Sequence, residues 1–157
     1  MSVYLWLKLL HILSGTLILG TGLGIAFFML KAYLSQNVEA LKVTTQTVVT
    51  ADWIFTTPAI VIQLISGFAL VGQLGVPYGS AWFIGVICIF IFVGLCWIPV
   101  VFIQIRIKKI IRDRGKINEC AGLMRIWALL GVPAFTGVLV LYYLMVSKSG
   151  MGTIIFA

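Results

Sequence analysis

The sequence predicts an all-α, polytopic membrane protein: a bundle of four transmembrane helices, N-out and C-out. Three observations carry this. Of 157 residues, 62% are apolar and 10% charged, against roughly 45–50% and 25% in a soluble globular domain. The mean hydropathy is +1.16, and so short a chain has too little interior to hide that much apolar surface from water. Four apolar runs reach the length of about 20 residues that crosses a hydrocarbon core roughly 30 Å thick. A soluble enzyme, a secreted disulfide scaffold, a disordered tail and a nucleic-acid-binding domain do not fit this composition.

The first span covers about residues 9–30, between Lys8 and Lys31. No basic segment or Ala-x-Ala site accompanies it, so it reads as a mature span, not a signal peptide. The second covers about 53–71 and opens after Asp52; the third, about 81–105, ends at Arg106. The fourth covers about 126–146, between Arg125 and Lys148. No charge falls inside these runs, and in hydrocarbon a helix satisfies every backbone polar group internally. Gly and Pro in 73–80 predict a tight hairpin between spans two and three. The Thr- and Val-rich segment 43–50 either extends span two out of the membrane or lies at its interface. One compact four-span domain accounts for the whole chain, with spans two and three as antiparallel neighbours.

A net charge of +7 would suggest nucleic acid in a soluble protein. In a membrane protein it follows from topology, and no nucleic-acid partner is expected. Arg106, Lys108, Lys109, Arg112, Arg114, Lys116 and Arg125 fall between spans three and four, and Lys31 and Lys42 between spans one and two. Only Lys8 and Lys148 lie at the other side. The excess places both charged loops in the cytoplasm. The 106–125 loop is also expected to meet anionic lipid headgroups. Cys88, Cys96 and Cys120 form no CxxC pair and no zinc spacing, so neither a disulfide framework nor a zinc site is expected.

His11 is the single histidine, and an ionisable side chain within a span calls for a reason. At helical spacing Gly15, Ile18 and Gly22 share its face. Glycines there would leave a flat hollow beside the ring, suited to a porphyrin next to an axial imidazole. A packing face with the histidine hydrogen-bonded across the bundle would have the same pattern. A second iron ligand would come from another protomer's His11, from a sulfur such as Cys88 or Met145, or be absent. On the opposite face, Thr16, Gly20 and Gly24 form a small-xxx-small stripe, suited to packing within the bundle or to a homodimer. Packing within the bundle is the expectation, since a four-span protein has more neighbours inside than outside.

Asp52 reads as the N-cap of span two or as the partner of Arg106 or Arg125. Its sharper reading is a proton-accepting carboxylate. Gln63 and Gln104 are intramembrane amides that must find partners, as interhelical glue, as the lining of a polar pathway with Asp52, or against a quinone headgroup.

The stretches 5–14 around Lys8 and His11, 20–28 with Gly20, Gly22 and Gly24, and 51–58 with Asp52 and Pro58 resemble a bacterial family of four-span membrane proteins known only as a domain of unknown function. So do 97–106, with Trp97, Pro99 and Gln104, and 133–135 together with 143–146, with Pro133 and Tyr143. The resemblance covers nearly the whole chain and implies a bacterial inner membrane location. More distantly, Leu7-Lys8-Leu9-Leu10-His11 is similar to the first span of membrane protoporphyrinogen oxidases and copper-resistance membrane proteins. That likeness implies His11 as an axial ligand of haem b. The leading expectation is therefore a haem-b-associated redox protein using His11 with Gly15 and Gly22. A non-catalytic subunit or assembly factor of a larger membrane complex, and a proton-coupled small transporter using Asp52, Gln63 and Gln104, are the alternatives.

Overall fold

A computed structural model describes residues 2–151, with side chains to 147. Five α-helices make up four rods. α1 is Val3–Leu34, α2 is Val38–Ala51, α3 is Thr57–Gln73, α4 is Ala81–Arg114 and α5 is Ala121–Met151. A π-helical segment, Asp52–Thr56, joins α2 to α3 without interrupting the rod, and Ile117–Cys120 is a 3₁₀ turn leading into α5. Four helical stretches are long and apolar enough to cross a membrane: Val3–Leu34, Val38–Gln73, Ala81–Arg114 and Ile117–Ser147.

The four predicted spans are present, but the helices outrun them. At 1.5 Å per residue, the 36-residue second rod is about 54 Å long and the 34-residue third about 51 Å, well beyond a roughly 30 Å core. The expected 106–125 loop is largely helix. α4 carries its basic residues to Arg114 and stops at Gly115, whose φ of +63° is the left-handed conformation that ends a helix. The segment 43–50 continues the second rod, the first of its two expected readings, so the helix that contains span two begins at Val38. Its N-cap is Asn37, whose Oδ1 accepts from the Ala40 N–H at 3.1 Å. Asp52 therefore does not cap span two; it lies in the interior of the rod.

α1 packs along α3 and α2, α4 packs against α5, and α2 joins the two pairs by packing on α4. The core is concentrated toward the end of the bundle that carries the basic residues, called the basic end below. Met29, Leu41, Ile107, Ile111 and Cys120 are sealed there, joined by Ile117, Met124 and Trp127. Toward the opposite end, Phe68, Tyr78 and Phe83 close the α3–α4 hairpin with ring centroids 5.4–6.4 Å apart. Large apolar side chains such as Leu129, Phe102 and Ile65 point outward, as lipid-facing positions do.

One packing expectation is reversed. Thr16 and Gly20 are exposed, and an added Cβ at Gly20 or Gly24 would meet nothing within 4 Å. The inner face of α1 is instead the one holding His11, Ser14, Gly15, Ile25 and Met29. A helix has only one face to bury, and the polar groups needing partners claim it.

Candidate functional site

The second rod supplies the polar lining. Asp52, Thr56, Ala59, Gln63 and Ser66 follow one another at alternating steps of four and three residues, which places them on a single face of a helix. Asp52, Thr56, Ala59 and Ser66 are buried and Gln63 is half-buried. The stripe feeds two hydrogen-bonded clusters, one toward each end of the bundle.

Toward the opposite end, His11 bridges α1 and α3. Its Nδ1 lies 3.0 Å from Ser66 Oγ, and its Nε2 lies 3.0 Å from Gln63 Nε2. Ser66 has one hydroxyl hydrogen and donates it to the Ile62 carbonyl at 2.6 Å, so its oxygen accepts from Nδ1–H. The other ring nitrogen then carries the lone pair and accepts from the Gln63 amide, which assigns a neutral Nδ1–H imidazole. Gln63 Oε1 in turn accepts from Ser14 Oγ. Each polar group of the cluster has a partner, as hydrocarbon demands.

Two glycines make room for it. A Cβ at Gly67 would stand 3.1 Å from His11 Cε1, and one at Gly15 would stand 3.0 Å from the Tyr142 hydroxyl and 3.5 Å from Gln63 Oε1. Gly67→Val is accordingly expected to push the imidazole off Ser66 and Gln63 and to cost about 2–3 kcal/mol of stability. In a His11→Ala background most of that loss should vanish, since no ring remains to collide with. Thermal unfolding in detergent measures both; equal losses in the two backgrounds would sink this account of Gly67.

Toward the basic end, Asp52 is 3% exposed and Gln104 1%. Gln104 Nε2 donates to Asp52 Oδ2 at 2.8 Å, and its Oε1 accepts from Trp127 Nε1 at 3.3 Å. The indole N–H can only donate, which fixes the amide this way round. The carboxyl also faces the side chains of Thr56 and Trp97. Thr56 Oγ1 is buried and has no hydrogen-bond partner among the described residues. Asp52 forms no ion pair among them; the arginines expected to meet it, Arg106 and Arg125, are exposed, and neutral donors hold the carboxyl instead. The π-helical segment sets this geometry. Pro58 has no N–H to give the helical ladder, and the Thr57 hydroxyl donates to the Asp52 carbonyl at 2.9 Å in the widened turn.

The expected residues thus separate into two groups. His11, Gly15 and Gln63 come together, while Asp52 and Gln104 meet eleven residues away along the second rod, about 16 Å. Gly22 contacts neither, with nothing within 4 Å of an added Cβ. Cys88 and Met145 are exposed, and no group of three or more His, Cys, Asp or Glu side chains converges among the described residues. Axial ligation of a haem iron needs a free imidazole nitrogen, and both nitrogens of His11 are engaged. In this arrangement His11 is a hydrogen-bonded post across the bundle, and axial ligation would require its Nε2 to leave the Gln63 amide. Ser14, Thr56, Ser66 and Trp127 escaped the reading of the sequence. The step of three and four running back from Ser66 to Asp52 was the available signal for two of them.

One comparison decides the family. Residues 5–149 match the family model described as predicted integral membrane protein, DUF2269. The chain belongs to the DUF2269 family. No curated protein and no solved structure matches it. In this DUF2269 member the matched region holds both polar clusters and all but the ends of the four rods, so the clusters lie within the family domain and not in an appendage.

Proposed function

We propose that this DUF2269 protein carries protons across a bacterial inner membrane, with the basic end in the cytoplasm and Asp52 as the proton-accepting group. The observation that carries the reading is the Asp52 carboxyl, buried in a membrane-crossing rod, in no ion pair among the described residues and held by neutral donors. An ionised carboxylate in such a place is costly, and intramembrane acids of this kind mark proton and ion pathways. Proton binding relieves that cost and release restores it, so the group is suited to a loading and unloading step. Thr56 offers a hydroxyl beside the carboxyl to accept a hydrogen bond from its protonated form. Gln63 and His11 continue the polar face toward the other side, beyond Ala59.

The test is proton entry into liposomes containing the purified protein, followed with a trapped pH-sensitive dye under an imposed potassium diffusion potential. Wild type is expected to carry a pH-dependent flux that Asp52→Asn lowers about tenfold or more, with helix content and melting unchanged in the variant. Wild-type flux equal to that of protein-free liposomes would overturn the proposal.

A further inference from the structure

The π-helical segment decides where one buried hydroxyl can turn. A threonine inside a helix commonly gives its hydroxyl hydrogen to the carbonyl one turn back. Thr16, Thr47, Thr50 and Thr136 do so, each to the carbonyl four residues earlier at 2.9–3.0 Å. For Thr56 that carbonyl belongs to Asp52, and it is already taken. The Thr57 N–H donates to it across the π turn, and the Thr57 hydroxyl donates to it at 2.9 Å. A carbonyl oxygen has two lone pairs, and these two donors use both. Thr56, 3% exposed, keeps a hydroxyl that no backbone group holds.

Pro58 secures the arrangement from the other side. With no N–H, it cannot make the bond to the Ile54 carbonyl that an α register would require of residue 58. The hydroxyl left over faces the Asp52 carboxyl. The carboxyl's neighbours on α4, the Gln104 amide and the Trp97 indole, are neutral, and no charged side chain pairs with it among the described residues. A hydroxyl whose hydrogen is spent on a carbonyl can only accept from a neighbour. One whose hydrogen is free can also donate, and a carboxylate needs donors once its proton has left.

We propose that Thr57 and Pro58 are positioning residues for the Asp52 proton site. Thr57, by occupying the Asp52 carbonyl, and Pro58, by holding the π register, release the Thr56 hydroxyl to donate to the ionised carboxyl. The inference rests on reading Asp52 as the proton-accepting group, and both residues act on it only through Thr56.

The experiment is infrared difference spectroscopy of the protein in lipid vesicles, with carbon-13 in the side-chain carboxyl of aspartate, followed through the protonated C=O band against pH. The chain has two aspartates, Asp52 and Asp113, and Asp52→Asn identifies the band of the first. Thr57→Val, which keeps the side chain's shape and loses its hydroxyl, is expected to raise the pH of half-protonation by about one unit, because the anion loses a charge-assisted donor. Thr57→Ser should restore the wild-type titration, and Pro58→Ala should move it in the same direction as Thr57→Val. In a Thr56→Val background, Thr57→Val and Pro58→Ala should add nothing further. Shifts that persist without the Thr56 hydroxyl would overturn the proposal, as would an unchanged titration in Thr57→Val. The titration reads no flux. Liposomes without proton current, alongside these shifts, would remove the transport reading and leave the positioning role standing; a band that ignores pH would overturn both.

Discussion

Gln104→Leu is expected to be among the most damaging single substitutions in this protein, lowering unfolding free energy by about 3–4 kcal/mol. The amide is 1% exposed and bonds both Asp52 Oδ2 and the Trp127 indole. A leucine fills much of its volume but leaves a buried carboxyl oxygen and a buried N–H without partners. The orphaned groups cause the loss, so removing one of them should restore part of it. Adding Asp52→Leu to Gln104→Leu is expected to recover about 1–2 kcal/mol, because replacing both members of a buried polar pair is far milder than removing one. Equilibrium unfolding in mixed micelles, run as a double-mutant cycle, reads both numbers. A Gln104→Leu protein that unfolds with wild type would show that Asp52 finds its stabilisation elsewhere.

The second large effect is expected at Ile107. Ile107→Ala should cost about 2–4 kcal/mol, while Ile105→Ala, one half-turn away on the same helix, should stay within about 0.5 kcal/mol. The side chain of Ile107 is 0% exposed in the core shared by α1, α2, α4 and α5; that of Ile105 is 38% exposed on the outer surface. Hydropathy cannot separate two isoleucines, but burial can. Similar losses at both positions would mean that the basic end is not packed as described.

Much of the fold was legible because hydrocarbon thickness leaves a direct mark on a sequence. Each apolar run has a charge at one end at least, and each of the four lies in a rod long and apolar enough to cross a membrane. Charge marks where the lipid ends, however, not where the helix ends. That is why Asp52 looked like a cap and residues 106–125 like a loop. Both extensions are helical because they bury a stripe at steps of three and four: Leu41, Thr45 and Val48 on α2, and Gln104, Ile107 and Ile111 on α4. The stripes are visible in the sequence once helices are allowed to continue into water.

The site divides in the same way. The face of His11 was correctly drawn as far as Gly15, and Gln63 was recognised as needing a partner. Nothing in the linear order says that these two needs meet each other, because the rotation of α3 against α1 is a property of the packed bundle. The glycine at 22 followed the right face but ran past the cluster toward a stretch where no side chain lies opposite. Asp52 and Gln104 were grouped with Gln63 as one pathway; the folded chain makes them two clusters with Ala59 between.

The basic residues on the far portion of α4 have a mechanical meaning. Helices surrounded by lipid gain no hydrophobic attraction for one another, since the tails are as oily as the side chains. Leu41, Ile107, Ile111 and Ile117 are neighbours in sequence of Lys42, Arg106, Lys108, Arg112 and Lys116, charged residues that must stand in water. Their association draws on ordinary solvent exclusion. The bundle is thus built like a clothes peg, sprung from outside the bilayer, with the jaws reaching through it. Lipid composition acts on the jaws while the spring stays in solvent, and the two halves of the protein answer to different solvents.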